Sequence, residues 1–288
     1  MMKEDRRKFI KQTALGSLMM TLGPGMVTSC DSKSRLDEIG LIGGVIRDEL
    51  KNDWEGTLRK VASIGYNFLE HSGYFGDDIN YFKSFMKEVG LQSKVAGSAM
   101  SSMMDTELLK KMIAEELDLG KEYLTCYWPW LDDGTNKNLD DFKLASERLN
   151  EIGKVCKEGG IRFSFHNHDK EFVPVEGHEF GYDVMLKETD PKYVAMQLDL
   201  YWITKGGGDP IKVLKEHGNR IELFHVKDMD QTKERGLTCP GYGIIDFAAI
   251  FSEAKEVGVK YYIVEIDRHE SPIQCIEDSY KYLSELRF

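Results

Sequence analysis

The feature that most restricts this chain is an alternation. From about residue 36, eight β-rich runs follow one another, with a longer helical stretch between each pair. The runs are 39–46 (IGLIGGVI), 67–71 (NFLEH), 91–97, 122–128, 161–167 (IRFSFHN), 193–199 (YVAMQLD), 221–226 (IELFHV) and 260–266 (KYYIVEI). In 139–159, Phe142, Leu144, Ala145, Leu149, Ile152 and Val155 recur near helical spacing. Gly65, Gly90, Gly159-Gly160, Gly218 and Gly258 stand where helices should end, as C-caps do. Eight strand–helix units of roughly 30 residues predict a single α/β domain, a (β/α)8 barrel over 36–288. A doubly wound open sheet is the rival, but it has fewer units, and no G-x-G-x-x-G follows the first run.

The first 30 residues stand outside this pattern. Lys3, Arg6, Arg7, Lys8 and Lys11 precede a mildly apolar run, Ala14 to Ser29, that ends at Cys30. A basic segment, an apolar segment and small residues are the parts of an export signal. The run is short and rich in Gly, Ser and Thr for a membrane span. Arg6-Arg7-Lys8-Phe9-Ile10-Lys11 resembles a twin-arginine signal, with Asp5 where Ser or Thr is usual. Val27-Thr28-Ser29-Cys30 resembles a lipobox with Cys30 as the acylated residue. The expectation is an exported bacterial protein, periplasmic or membrane-anchored, that meets the membrane only through its N-terminal lipid. An amphipathic helix of a cytoplasmic protein is the alternative.

The chain carries 38 basic and 49 acidic residues, a net charge of −11. Residues 1–29 hold five basic and two acidic groups, so their removal takes the net charge to −14. That charge disfavours nucleic acid, whose binding depends on neutralising phosphates. Besides Cys30, the chain has Cys126, Cys156, Cys239 and Cys275, widely spaced and without a CxxC pair. An even number permits disulfides in an oxidising compartment. Folding in the cytosol before export favours free buried thiols instead.

A barrel of this kind places its chemistry at the C-terminal ends of its strands. The second run ends in Glu70-His71, and the fifth in His166-Asn167-His168-Asp169 with Glu171 beyond. The sixth ends in Asp199, the seventh in His225 followed by Lys227 and Asp228, and the eighth in Glu265-Ile266-Asp267. Alternation points His166 and His168 to the same side. Asp, His and Glu from separate strands form an oxygen and nitrogen ligand set. It suits one Mn2+, Co2+, Fe2+, Zn2+ or Mg2+ ion rather than a thiolate-seeking metal. Hydrogen-bonded rim residues would be the bland alternative. Tyr127, Trp128, Trp130 and Trp202 follow the fourth and sixth runs and could stack on a sugar ring or pack the rim.

These residues resemble the xylose-isomerase-like TIM-barrel family, often labelled sugar phosphate isomerase/epimerase. The landmarks are Arg47-Asp48-Glu49-Leu50, Ile64-Gly65-Tyr66 with Glu70, Asn150-Glu151-Ile152-Gly153 and Phe165-His166-Asn167-His168-Asp169-Lys170-Glu171-Phe172. They continue with Leu198-Asp199-Leu200-Tyr201-Trp202, His225-Val226-Lys227-Asp228, Gly241-Tyr242-Gly243-Ile244-Ile245-Asp246-Phe247 and Val264-Glu265. The resemblance implies one divalent metal held by Asp199, His225 and Glu265. The fourth ligand is His166 by strand position, or Glu171. The His usual after the third strand is replaced by Ala96-Gly97-Ser98. Trp202 stands where DNA-repair relatives carry a further zinc-binding His.

The implied chemistry is proton abstraction beside a sugar carbonyl, with the metal on the enolate oxygen. His168 is the expected general base or acid, Glu265 the carboxylate base of the eighth strand, and Lys227 a hold on a substrate oxygen. Glu70, Glu171 and Trp202 are expected to touch substrate. Export, and the lack of a dense Lys/Arg cluster, point to an unphosphorylated sugar or keto-sugar. Metal loading in the cytosol would favour Mn2+ or Fe2+, with Mn2+ preferred. Elimination from a 3-keto-glycoside is the alternative reaction. A non-catalytic carbohydrate-binding lipoprotein is the alternative of another class, and a glycosidase using Glu70 and Glu265 is a remote third.

Overall fold

The computed structural model describes residues 34–288. The signal and lipidation expectations, Cys30 included, lie outside the described residues. Eight parallel strands close into a barrel: β1 (Gly40–Ile42), β2 (Phe68–Glu70), β3 (Gln92–Ala99), β4 (Tyr123–Trp128), β5 (Arg162–His166), β6 (Val194–Asp199), β7 (Ile221–Val226) and β8 (Tyr261–Val264). Each strand pairs with its sequence neighbours, and β1 closes the ring against β8 through Gly40–Ile263 and Leu41–Val264. The expected (β/α)8 barrel is therefore the fold.

Local chemistry sets the outer layer. The helices are α1 (Arg47–Asn52), α2 (Trp54–Ile64), α3 (Ile79–Val89), α4 (Thr106–Asp118), α5 (Leu139–Gly159), α6 (Gly181–Glu188), α7 (Leu200–Lys205), α8 (Pro210–His217), α9 (Phe247–Val257) and α10 (Pro272–Glu285). Asp53, Asp78, Asp105, Asp209 and Asp246 each accept a backbone N–H at a helix start. Asn138 and Asp141 form a reciprocal capping box on α5. Pro210 sits in the first turn of α8, where its missing N–H costs nothing. The residue after α3, α5 and α9 is Gly90, Gly160 or Gly258 in the left-handed region. Gly218 departs from that expectation: at φ −56° it opens a short 3-10 turn into β7.

The first strand is also shorter than its apolar run. Only Gly40–Ile42 pairs; Gly43–Ile46 turns as a 3-10 helix and leads into α1. Its apolar residues are still buried, but in the helical layer. Inside the barrel, Phe68, Val95, Tyr123, Leu223, Tyr261 and Ile263 form a separate buried cluster. This is a filled core, so the only room for chemistry is at its two ends.

Two thiols meet the expectation and two do not. Cys126 and Cys156 are free and buried. Cys239 and Cys275 are joined in a disulfide. Spacing does not announce this pairing, because α9 and β8 lie between the partners; the direct pairing of β7 with β8 brings the segments after them together.

Candidate active site

At the C-terminal end of the strands, β5, β6, β7 and the residue after β8 bring His166, Asp199, His225 and Glu265 together. One ligand atom from each lies within 4.8 Å of the others. Strand alternation aims all four inward, and the first three are buried. Asp199 also caps α7: its Oδ1 accepts the Trp202 N–H at 2.7 Å, which leaves Oδ2 facing the cluster. Asn167 Oδ1 accepts the Asp199 N–H at 2.9 Å and fixes that turn.

Charge is concentrated here. Lys227 Nζ lies 3.1 Å from Glu265 Oε2, 3.4 Å from Asp199 Oδ2 and 2.9 Å from Asp267 Oδ1. His225 Nε2 is 2.9 Å from Glu70 Oε2, and its Nδ1 is 2.5 Å from Glu265 Oε2. Burial works against a charged imidazole at 225, yet the Glu70 and Glu265 carboxylates outweigh it and raise its pKa to about 10. Burial raises the Asp199 carboxyl to about 6 despite Lys227. Burial and then the neighbouring His225 push His166 well below its ordinary value. His168 falls to about 4 through burial and the Lys227 charge, so its imidazole is neutral at pH 7.

The donor set fits a divalent metal. Of the four, His166 Nδ1 is buried with no polar contact, whereas Asp199 Oδ2, His225 Nδ1 and Glu265 Oε2 meet one another, His166 or Lys227 as ion pairs. A buried polar atom without a partner is rare and costly. Two imidazoles and two carboxylates match the preferences of Zn2+, Co2+, Fe2+ or Mn2+. Four carboxylates (Glu70, Asp199, Glu265 and Asp267) also converge on one ammonium and one imidazole, an excess of negative charge that a divalent ion offsets.

The other sequence candidates fall in three places. His168 sits between two indoles, its ring 5.4 Å from Trp128 and 5.5 Å from Trp202. Trp202 also lies under Lys227 Nζ at 5.5 Å and so borders the site. Glu70 is fully buried and its oxygens are engaged: Tyr127 OH donates at 2.6 Å, Gln197 Nε2 at 3.0 Å, and His225 faces it. Glu171 is likewise buried, with Oε2 accepting the His168 N–H at 2.6 Å and Oε1 the Trp130 Nε1–H at 2.8 Å. His166, not Glu171, stands in the four-residue group. Trp130 is packed edge-on against Phe142, away from any stacking role.

Gln197 has no place in the sequence expectations, and Tyr127, expected to stack on a sugar ring or pack the rim, instead donates to Glu70. Strand parity points to both: Gln197 lies two before Asp199, and Tyr127 two after the inward Thr125. Gly97 makes room for Tyr127, since a Cβ there would lie 2.2 Å from the ring. Asp228, expected only as a polar residue at the end of the seventh strand, has a structural part: its two oxygens accept the backbone N–H groups of Met229, Gly241, Gly243 and Ile245 and hold the loop after β7. Beside the cluster, a cleft of about 480 Å3 is lined by Gly43, Arg47, Leu50, Phe75 and Tyr127, with Glu70 at its edge.

Residues 58–286 match the family described as xylose isomerase-like TIM barrel. The chain belongs to that family. Among curated relatives of this family member, an inosose dehydratase of Clostridium beijerinckii is 22% identical over 271 residues, covering 82% of this chain and 88% of the relative. An inosose dehydratase of Clostridium perfringens is 26% identical over 273 residues, covering 82% and 90%. A solved sugar phosphate isomerase/epimerase of Parabacteroides distasonis is 26% identical with a TM-score of 0.72, covering 89% of this chain and 95% of its own. The barrel mouth described above is thus the mouth of a xylose isomerase-like barrel, with His166 on its fifth strand.

Proposed function

We propose that this chain is a divalent-metal enzyme that removes a proton beside a carbonyl of a small unphosphorylated sugar or keto-sugar. The observation that carries the reading is the convergence of one ligand atom each from His166, Asp199, His225 and Glu265, all within 4.8 Å of one another at the barrel mouth. A bound divalent ion would polarise the carbonyl and stabilise the enolate charge. Every other part is the chain's own. Neutral His168 takes the proton, and its buried Nδ1 has no partner to compete. The Lys227 ammonium holds a substrate oxygen, and Trp202 offers an apolar face to the sugar ring. Glu70, fixed by Tyr127 and Gln197, orients His225.

Elimination is the second reading, in which the carbon proton passes to His168, a neighbouring C–O bond breaks and the departing oxygen is protonated. A neutral His168 beside a charged Lys227 supports it: the imidazole takes the carbon proton and returns it to the departing oxygen, which the ammonium holds. The dehydratase relatives point the same way. Lack of phosphate rests on the cations: Lys227 is ringed by carboxylates, and Arg47 donates to the Gly44 and Asp267 carbonyls. Export and lipidation at Cys30 belong to the same proposal, and the Cys239–Cys275 disulfide supports an oxidising compartment.

The test is metal analysis of the purified protein beside Asp199→Ala and His225→Ala. We expect about one divalent ion per chain, lost in both variants. Keto-sugars, inososes and 3-keto-glycosides incubated in deuterated solvent should then exchange the proton beside the carbonyl, and loss of water would identify elimination. Mn2+ is the expected ion. No metal after loading with Mn2+, Co2+ or Zn2+ would overturn the reading in favour of a carbohydrate-binding lipoprotein. Membrane fractionation beside Cys30→Ser tests the anchor.

A further inference from the structure

A second group of metal-capable side chains lies on the rim, apart from the four at the mouth. Cys239, His269 and Cys275 each offer one ligand atom, all within 4.8 Å of one another. They come from three segments: the loop that Asp228 holds, the turn after β8, and the first turn of α10. Cys239 and Cys275 are buried, and His269 is exposed. The His269 ring is oriented by the Ser271 N–H, which donates to Nδ1 at 3.0 Å.

We infer that Cys239, His269 and Cys275 form a redox-gated site for a thiophilic divalent ion such as Zn2+, closed by the disulfide and opened by its reduction. Two thiolates and an imidazole are a zinc set with one position left for water. The mouth offers only nitrogen and oxygen, so the two sites differ in softness. Cys275 lies in the first turn of a 14-residue helix, where the backbone dipole favours a thiolate. The loop, the turn and the helix are each anchored by other contacts. Asp228 holds the loop through three of its N–H groups, and Tyr66 OH donates to the Ile276 carbonyl in α10. Breaking the S–S bond therefore leaves the three side chains close together.

The chemistry balances with a named reductant. A phosphine and water reduce the disulfide: phosphorus is oxidised to the phosphine oxide, taking the oxygen of water, and two thiols form. The ion then replaces the two thiol protons, which are released. Zinc and disulfide are alternative occupants of the same two sulfurs.

The experiment is a Co2+ titration of the whole chain before and after reduction with a water-soluble phosphine. The expected result is one additional Co2+ per chain after reduction, with a thiolate-to-cobalt charge-transfer band. Cys239→Ser and Cys275→Ser should lose both, and His269→Ala should weaken them. Cys126, Cys156 and Cys30 are controls, since a band from any of them would also be present before reduction. Should the mouth site fail to bind metal, the reduced chain would still gain this ion, so the two claims fail separately. No band and no added ion in the reduced chain would overturn the inference. So would a band that persists in Cys239→Ser, Cys275→Ser and the double variant.

Discussion

The two ends of the barrel carry similar numbers of charges and treat them differently. At the N-terminal end, Glu222 accepts from Arg162 Nη2 at 2.7 Å and Nε at 3.0 Å, from Tyr123 OH at 2.5 Å and from Lys260 Nζ at 3.1 Å. Beside it, Tyr261 OH donates to Glu122 at 2.7 Å and accepts from Lys94 at 3.1 Å. Burial alone would raise the Glu222 carboxyl, but these donors hold it below its usual value. At the C-terminal end, Lys227 is shared among Glu265, Asp199 and Asp267, and His225 between Glu70 and Glu265, four carboxylates on two cations, and burial raises Asp199 to about 6. The same scaffold thus closes one end with a satisfied ring and keeps an excess of negative charge at the other. That excess waits for a cation to bind.

The largest effects should come from removing what waits. Asp199→Ala and His225→Ala should each weaken metal binding by about 100-fold or more. Thermal stability without metal should fall far less in Asp199→Ala, which removes a carboxylate from a cluster with excess negative charge, whereas His225→Ala leaves Glu70 buried without its cation and costs stability as well. Calorimetric titration with Mn2+ or Zn2+, beside unfolding of the metal-free proteins, measures both. A large loss of metal-free stability in Asp199→Ala would erase the contrast between the ends.

Next is the support beneath the mouth. Glu70 Oε2 faces His225 Nε2 at 2.9 Å, so Glu70→Gln should keep the packing and lose the charge that orients the imidazole. The expected loss is about 10- to 100-fold in metal affinity. If Glu70 instead bound substrate, metal affinity would hold while substrate affinity fell.

Glu171 tests the same end by pH. Burial lifts its carboxyl to about 7, against 4.5 ordinarily. The folded state therefore holds this proton more tightly than the unfolded state. The stability it confers is full below about 4.5 and is lost as pH rises towards 7, by at most about 3 kcal/mol. Glu171→Gln keeps one acceptor oxygen for either the His168 N–H or the Trp130 N–H and loses the other bond, so it should lower stability overall and flatten that slope. Denaturant melts at pH 5 and pH 8 read the difference directly.

The barrel and most of its caps were legible because they rest on local rules: strand alternation, Asp before a helix, Gly after it. The mouth was legible to the level of which strand ends carry chemistry. What escaped were choices made by packing. Glu70 and Glu171 read as free carboxylates, yet the fold hands one to Tyr127, Gln197 and His225 and the other to Trp130 and the His168 backbone. His166 and Glu171 could not be told apart as ligands from spacing, because the turn after β5 swings Glu171 under the loop. Cys239 and Cys275 meet because β7 and β8 pair side by side and the segments after them fold together, which no run of residues announces.

The smallest effect belongs to the satisfied end, and it sharpens the contrast most. Glu222→Ala leaves Arg162, Lys260 and Tyr123 without their acceptor; Arg162 and Lys260 reach water and recover part of the loss, while Tyr123 is buried. The expected cost is about 1–2 kcal/mol at pH 7. Because the folded-state pKa of Glu222 is depressed, its stabilisation is present above the unfolded value near 4.5 and vanishes as pH falls below it. Wild type and variant should thus converge in acid, the opposite direction to Glu171. Metal affinity should not change, since the filled layer of Phe68, Leu223 and Ile263 separates this ring from the mouth. A drop in metal affinity in Glu222→Ala would mean that the two ends are coupled through that layer, and the division between a stabilising end and a chemical end would fail.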